Sequence, residues 1–402
     1  MHPFLRYAAR TLLSCMLVTA ALVLQAKAAP LFGTKSVGPT GDYASLTAAI
    51  ADVNAVGNGL GGALVLELQA TYLSTVETFP LTIPALNGAS AVNTLSIRPQ
   101  AGATNLKITG LEFAAAVELN GAQFVTLDGR PGGVGGNAGS GVGTASQLTF
   151  AGNAGGGMAL RFMNEASNNT VQYVTLRSVG SSGTVVFSTT TGANGNDNNT
   201  IDHCDIRDGT TTSAYGIVSS GSTSTAAQNN SGNTVSNCNI FNFYSSTGNS
   251  AGLSLGSGNT DWTITGNSFY QTASRAAVAE IWAIYIGSGG NHLVTNNFIG
   301  GSAPGAAGAA WTATAGSVSN FFTAIELRGN AVPNGVQGNT IRNLNWASGV
   351  GTWRGIYVFS GSANVGTMTG NVIGSGTGTD SITVPNGTQL SPAGSAARWR
   401  FL

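Results

Sequence analysis

The chain has 402 residues, only 8% of them charged against roughly 25% in ordinary globular domains, and 58 are glycine. Long charged helices are thereby excluded. Equal counts of basic and acidic residues, 16 of each, exclude the electrostatic footprint of a nucleic-acid or anionic-membrane binder, so a neutral partner is expected.

At the N-terminus, Arg6 and Arg10 precede an apolar run over 12–24 that ends at Ala26-Lys27-Ala28. This pattern predicts a secretory signal peptide over 1–28, cleaved before Ala29. Cys15 sits inside the apolar run rather than after it, which argues against a lipoprotein. No later segment offers about 18 uninterrupted apolar residues, so no transmembrane segment is expected in the mature chain. A secreted or cell-surface protein follows. Residues 29–92 are expected to form an N-terminal cap and the first strands.

From there the chain is a ladder. An apolar residue, two variable residues, a small or polar one, a variable one and a second apolar residue recur as AQFVTL (122–127), VQYVTL (171–176), IDHCDI (201–206) and VSNCNI (235–240). The pattern continues as ITGNSF (264–269), VTNNFI (294–299), VQGNTI (336–341) and MTGNVI (368–373). Upstream of each copy lies a second short strand, from VELN at 117 to IYVF at 356. Its outward positions read Glu118, Arg161, Val186, Val218, Ser254, Tyr285, Glu326 and Tyr357. One such unit cannot bury its own apolar face, whereas rungs stacked at about 4.8 Å make a continuous interior. The expected fold is all-β, a right-handed parallel β-helix over 93–385 with an N-terminal capping helix and no evident C-terminal cap. Gly/Ala-rich inserts interrupt it at 130–157 and 302–316. The fourth motif position reads Val125, Val174, Cys204, Cys238, Asn267, Asn297, Asn339 and Asn371, which predicts an asparagine ladder, with asparagine also suited to a left-handed turn.

The stretches VGPTGDYASLTAAIADVN (37–54), TLSIRPQAGATNLKITG (94–110), VELNGAQFVTLDG (117–129) and NNTIDHCDI (198–206) resemble right-handed parallel β-helix proteins of the pectin-lyase-like superfamily, in particular large exported bacterial β-helix proteins of unassigned activity. The resemblance covers nearly the whole mature chain and implies architecture rather than chemistry. In that superfamily, lyases use carboxylates on neighbouring rungs to hold calcium, but the outward column has no two adjacent acids. Of the polygalacturonase signature only Asn259-Thr260-Asp261 is present, with no Asp-Asp and no Gly-His-Gly. The Gly41-Asp42-Tyr43 match to pectin methylesterases belongs to their cap, and this resemblance implies an amphipathic capping helix at 45–53 followed by the strand LVLEL at 64–68. No catalytic residue carries over. Residues 386–402 are expected to be an irregular or truncated end, with a change of character at 395–402, and the expectation is a truncated copy of a longer protein with one end of the solenoid open.

One rung concentrates charge: Asp202, His203, Asp205, Arg207 and Asp208. The catalytic reading takes Asp205 beside His203 as base and partner with Arg207 as an anion clamp. The metal reading takes Asp202 and Asp205, with Asp197, as calcium ligands; no other cofactor is expected. The plain reading is a polar outer face with Arg207 paired to Asp205 or Asp208. It is favoured because the neighbouring rungs offer only Tyr173, Thr175 and Ser178 below and Asn237, Asn239 and Asn242 above. Cys204 and Cys238 stack as free thiols or as a disulfide, with free thiols preferred because stacked Cβ atoms stand wider apart than the usual 3.8 Å or so. Tyr285, Tyr357, Glu326 and Trp311, with Trp346 and Trp353 nearby, form a candidate sugar-binding face, or else rings that cover the flank or pack under the inserts. Two functions follow. One is a non-catalytic surface or matrix module for adhesion to a polysaccharide or surface glycan; the other is a polysaccharide lyase or glycoside hydrolase.

Overall fold

The computed structural model describes residues 30–384 except 137–138, 154, 277–278, 315–319, 347–350, 376 and 378. The expected signal peptide at 1–28 and the C-terminal stretch 386–402 lie outside the described residues.

Alternating apolar and polar residues in short segments produce strands, and the strands stack in three long parallel sheets. Each coil passes from sheet 1 (for example Thr200–Asp202) round a tight corner to sheet 2 (Asp205–Ser213), then to sheet 3 (Tyr215–Ser219), and returns to sheet 1 one level up at Thr234–Ser236. Among the described residues sheet 1 holds 11 strands beginning at Leu31–Val37, and sheets 2 and 3 hold nine each. The molecule is a parallel β-helix. Its interior is built of columns in strict register: Val171, Ile201, Val235, Ile264, Val294 and Val336 follow one another up sheet 1, all fully buried. Each such side chain contributes about 1.5–3 kcal/mol of burial. Among the described residues no helix is long and apolar enough to cross a membrane.

The asparagine ladder is present. Asn267 donates backbone N–H and side-chain amide to Oδ1 of Asn297, Asn297 does the same to Asn339, and Asn339 to Asn371, all at 2.9–3.0 Å. The left-handed turn, however, belongs to the residue before the ladder: Tyr173, His203, Asn237, Gly266, Asn296 and Gly338 have φ between 49° and 69°. The first motif copy is also out of step with the others. Leu127 pairs with Val171 rather than Leu176, and Phe124, at φ 57°, stands two residues before Thr126 as left-handed Asn168 stands before Thr170. Its apolar spacing matched by coincidence of local alternation.

Two further asparagine columns line the interior. Asn169, Asn199 and Asn233 form one, which continues through Trp262, whose N–H donates to His292 Nδ1, to Asn334. Asn196 and Asn230 form the other. Cys204 and Cys238 are buried free thiols, the Cys204 N–H donating to Cys238 Sγ at 3.4 Å. Burial pushes the Cys238 thiol well up.

Helix α1 (Leu46–Val53) closes the first rung with Leu46, Ala49, Ile50 and Val53 inward. Ser45 caps it through Ala48 N–H, and Glu77 accepts from Leu46 N–H, Thr47 N–H and Tyr72 OH, placing a carboxylate at the positive end of the helix. Trp311 and Trp346 are not on the flank. They lie on a fourth, short sheet and are 1% and 0% exposed, packed around Phe322. Trp311 meets both Phe243 and Phe322 edge-on, so large rings fill the interior there.

Candidate functional site

On the charged rung, Asp202 ends a sheet 1 strand, His203 turns the corner, and Asp205, Arg207 and Asp208 start a sheet 2 strand. The corner therefore separates the acids that the sequence places together. His203 Nδ1 pairs with Asp202 Oδ2 at 2.6 Å, not with Asp205. Asp202 also accepts from Ser236 Oγ at 2.7 Å and Asn237 Nδ2 at 3.0 Å. Burial raises the Asp202 carboxyl, but these hydrogen bonds outweigh burial and hold it below the usual carboxylate range. The His203 ring stacks on Tyr173 at 4.8 Å, and the Arg130 guanidinium lies over Tyr173 at 4.5 Å, itself bonded to Asp128 at 2.8 Å.

Asp205 does not face open solvent. Asn239 on the next rung donates to it at 2.8 Å, and the insert over 130–157 folds back across it, with the Val142 N–H at 3.4 Å. Ser140 Oγ donates to Asn239 at 2.8 Å and the Gly141 N–H to Asn237 O at 2.6 Å. Burial under this latch raises the Asp205 carboxyl above its ordinary value. Asp202, filled by three donors, and Asp205, under the insert, belong to different sheets and form no common ligand set. Among the described residues no group of three or more His, Cys, Asp or Glu converges on a cation position.

Arg207 pairs with Asp208 at 3.1 Å, as in the plain reading of the rung, and lies over the Phe241 ring at 4.7 Å. The rung does have a charged neighbour: Arg177 is directly in register with Arg207.

Sheet 3 carries a second cluster. The outward column is in register as expected, with Ser254, Tyr285, Glu326 and Tyr357 on successive strands. Glu326 is 1% exposed and accepts from Trp282 Nε1 at 2.7 Å and Arg328 Nε at 2.8 Å. It is thus a buried anchor and not a sugar-facing carboxylate. Arg328 lies over Tyr285 at 5.4 Å and over Phe359 at 4.3 Å, and Arg354 lies over Tyr357 at 4.5 Å. Tyr285 and Tyr357 are half-buried and Phe359 is exposed, so three rungs present an aromatic platform braced by guanidinium groups. Trp282, Arg328, Arg354 and Phe359 escaped the sequence reading. The column rule contains the signal: Trp282, Thr323 and Arg354 stack in the same register beside the tyrosines.

No protein-family model matches this chain, and no curated protein matches it. Among solved structures, a crystal structure of PfbA, a surface adhesin of Streptococcus pneumoniae, is 12% identical with a TM-score of 0.30, covering 79% of this chain and 86% of that one. A second structure of the same surface protein and adhesin is also 12% identical, with a TM-score of 0.28, and covers 79% of this chain and 93% of the other.

Proposed function

We propose that the protein is an exported, non-catalytic β-helix that contacts glycan at the cell surface or in the matrix through the Tyr285–Tyr357 platform. The observation that carries this reading is the brace beneath it: the Glu326 carboxylate is consumed by Trp282 and Arg328, so the face offers ring surfaces and guanidinium donors rather than a free acid. Flat rings suit the C–H faces of sugar rings, and a rigid sheet presents them without an ordering cost. The run at 1–28 supports export, and the stacked asparagines and carboxylate–amide pairs support a stiff, inert stalk.

A glycan-binding array tests this, with Tyr285→Ala and Tyr357→Ala each weakening binding by about tenfold. The second reading, a carbohydrate-active enzyme, is favoured by the 2.6 Å Asp202–His203 pair, which has the form of an oriented base. Release of unsaturated or reducing sugars that His203→Ala or Asp205→Ala abolishes would overturn the non-catalytic reading.

A further inference from the structure

On the outer face of sheet 2, Arg177 is in register with Arg207 of the charged rung, the Arg207 guanidinium lies over Phe241 on the next strand, and Phe241 is in register with Tyr270. Like charges directly opposite on neighbouring strands are destabilising, so two stacked arginines need an explanation. Asp208 supplies part of one. Its carboxylate accepts from Arg207 Nε at 3.1 Å and its backbone carbonyl from Arg177 Nε at 3.2 Å. Both bonds use Nε, and among the described residues neither arginine has a hydrogen bond from Nη1 or Nη2. Asp205, two residues before Arg207, does not fill the gap, since Asn239 and the Val142 N–H hold it under the insert. Arg207 is also fixed in place, with its guanidinium lying on Phe241, and Phe241 stacks on Tyr270 at 4.7 Å.

We propose that Arg177 and Arg207 form an oxyanion-binding site, with the Nη groups of both donating to one sulfate-like or carboxylate group between them. Strand spacing sets the two side chains out about 4.8 Å apart, a gap that one oxyanion bridges with N–H···O contacts of about 2.8 Å to each. The guanidinium fork suits this geometry where an ammonium does not. The anion is either a free ion or a group borne by an acidic polymer. The site is on a different sheet from the tyrosine platform and does not depend on it.

The test uses sodium sulfate against sodium chloride at matched ionic strength, and dextran sulfate against neutral dextran, with thermal midpoint and direct titration as readouts. The expected result is that the wild type binds dextran sulfate and that Arg177→Gln and Arg207→Gln each weaken binding about tenfold or more, while Arg98→Gln on sheet 1, where the guanidinium pairs with Glu67, does not. A sulfate-specific rise in midpoint, absent in Arg177→Gln, identifies a free-ion site. A response to dextran sulfate alone identifies a polymer-borne group. Should Arg207→Gln misfold, Arg177→Gln and Arg177→Lys carry the comparison, the lysine variant keeping the charge and losing the fork. Binding equal in the wild type and these variants, or no binding in either arm, overturns the proposal.

Discussion

Asn297 Oδ1 receives two hydrogen bonds from Asn267, the backbone N–H and the side-chain amide, each at 3.0 Å. Asn297 in turn donates to Asn339 Oδ1 at 2.9 Å and to Ile264 O at 2.9 Å. One fully buried side chain therefore satisfies groups on the rung below and on the rung above. Asn297→Ala strands a buried N–H and a buried carbonyl, with an expected loss of about 2–5 kcal/mol in chemical denaturation. Asn371→Ala, at the partly exposed end of the ladder, is expected to cost less because water replaces the lost partner.

His292 stands in the column of Asn199, Asn233 and Asn334, between Trp262 and Asn334, and its burial pulls the imidazole pKa down to about 4 from 6.5. Nδ1 accepts from the Trp262 backbone N–H, which requires the neutral ring, while Nε2–H donates to Ser288 O. Between about pH 4 and 6.5 the unfolded chain binds a proton that the folded chain refuses, so stability rises with pH across this window and is lost on acidification. The full effect is roughly 3 kcal/mol. His292→Asn is expected to flatten the dependence of stability on pH over that range. Identical slopes in variant and wild type would refute the assignment.

Gly141 is the tightest point of the latch over Asp205. At φ +78°, an added Cβ would run into the Asn239 amide and the Asp205 carboxylate. Gly141→Ala is expected to detach the insert with little change in global stability, because the solenoid interior is untouched. Faster hydrogen exchange at positions 141 and 142, with a thermal midpoint within a few degrees of wild type, is the expected signature.

Glu326 holds the aromatic platform from below. Glu326→Ala leaves Trp282 Nε1 buried without its acceptor and releases Arg328, at an expected cost of about 2–4 kcal/mol. Trp282 fluorescence reports the change locally, since the indole loses its carboxylate partner.

Cys204 and Cys238 are expected to titrate as two free thiols in denatured, unreduced chain from residue 29 onward, and to resist modification when folded. Finding no thiol in the denatured chain would establish a disulfide instead.

The sheet 3 column from Glu118 to Tyr357 was legible residue by residue, because a solenoid converts sequence period directly into spatial contact. The ladder at Asn267, Asn297, Asn339 and Asn371 was legible for the same reason. The columns through Asn169 and Asn196 were not. An inward asparagine beside a corner has the same local signature as an outward one in a turn, and only closure of the coil decides which way it points.

What the sequence by itself determined is therefore the repeat: strand period, rung-to-rung register, and which residue types recur at each level. What tertiary structure alone decided is everything that depends on a segment leaving the period and returning. The corner at His203 assigns Asp202 to it and denies it Asp205; the first insert covers Asp205; and the fourth sheet turns Trp311 inward. Neighbour relations within a periodic stack are fixed by translation along one axis. Chain that departs from the period is placed by hydrogen bonds and apolar contacts to distant rungs, which no local pattern encodes.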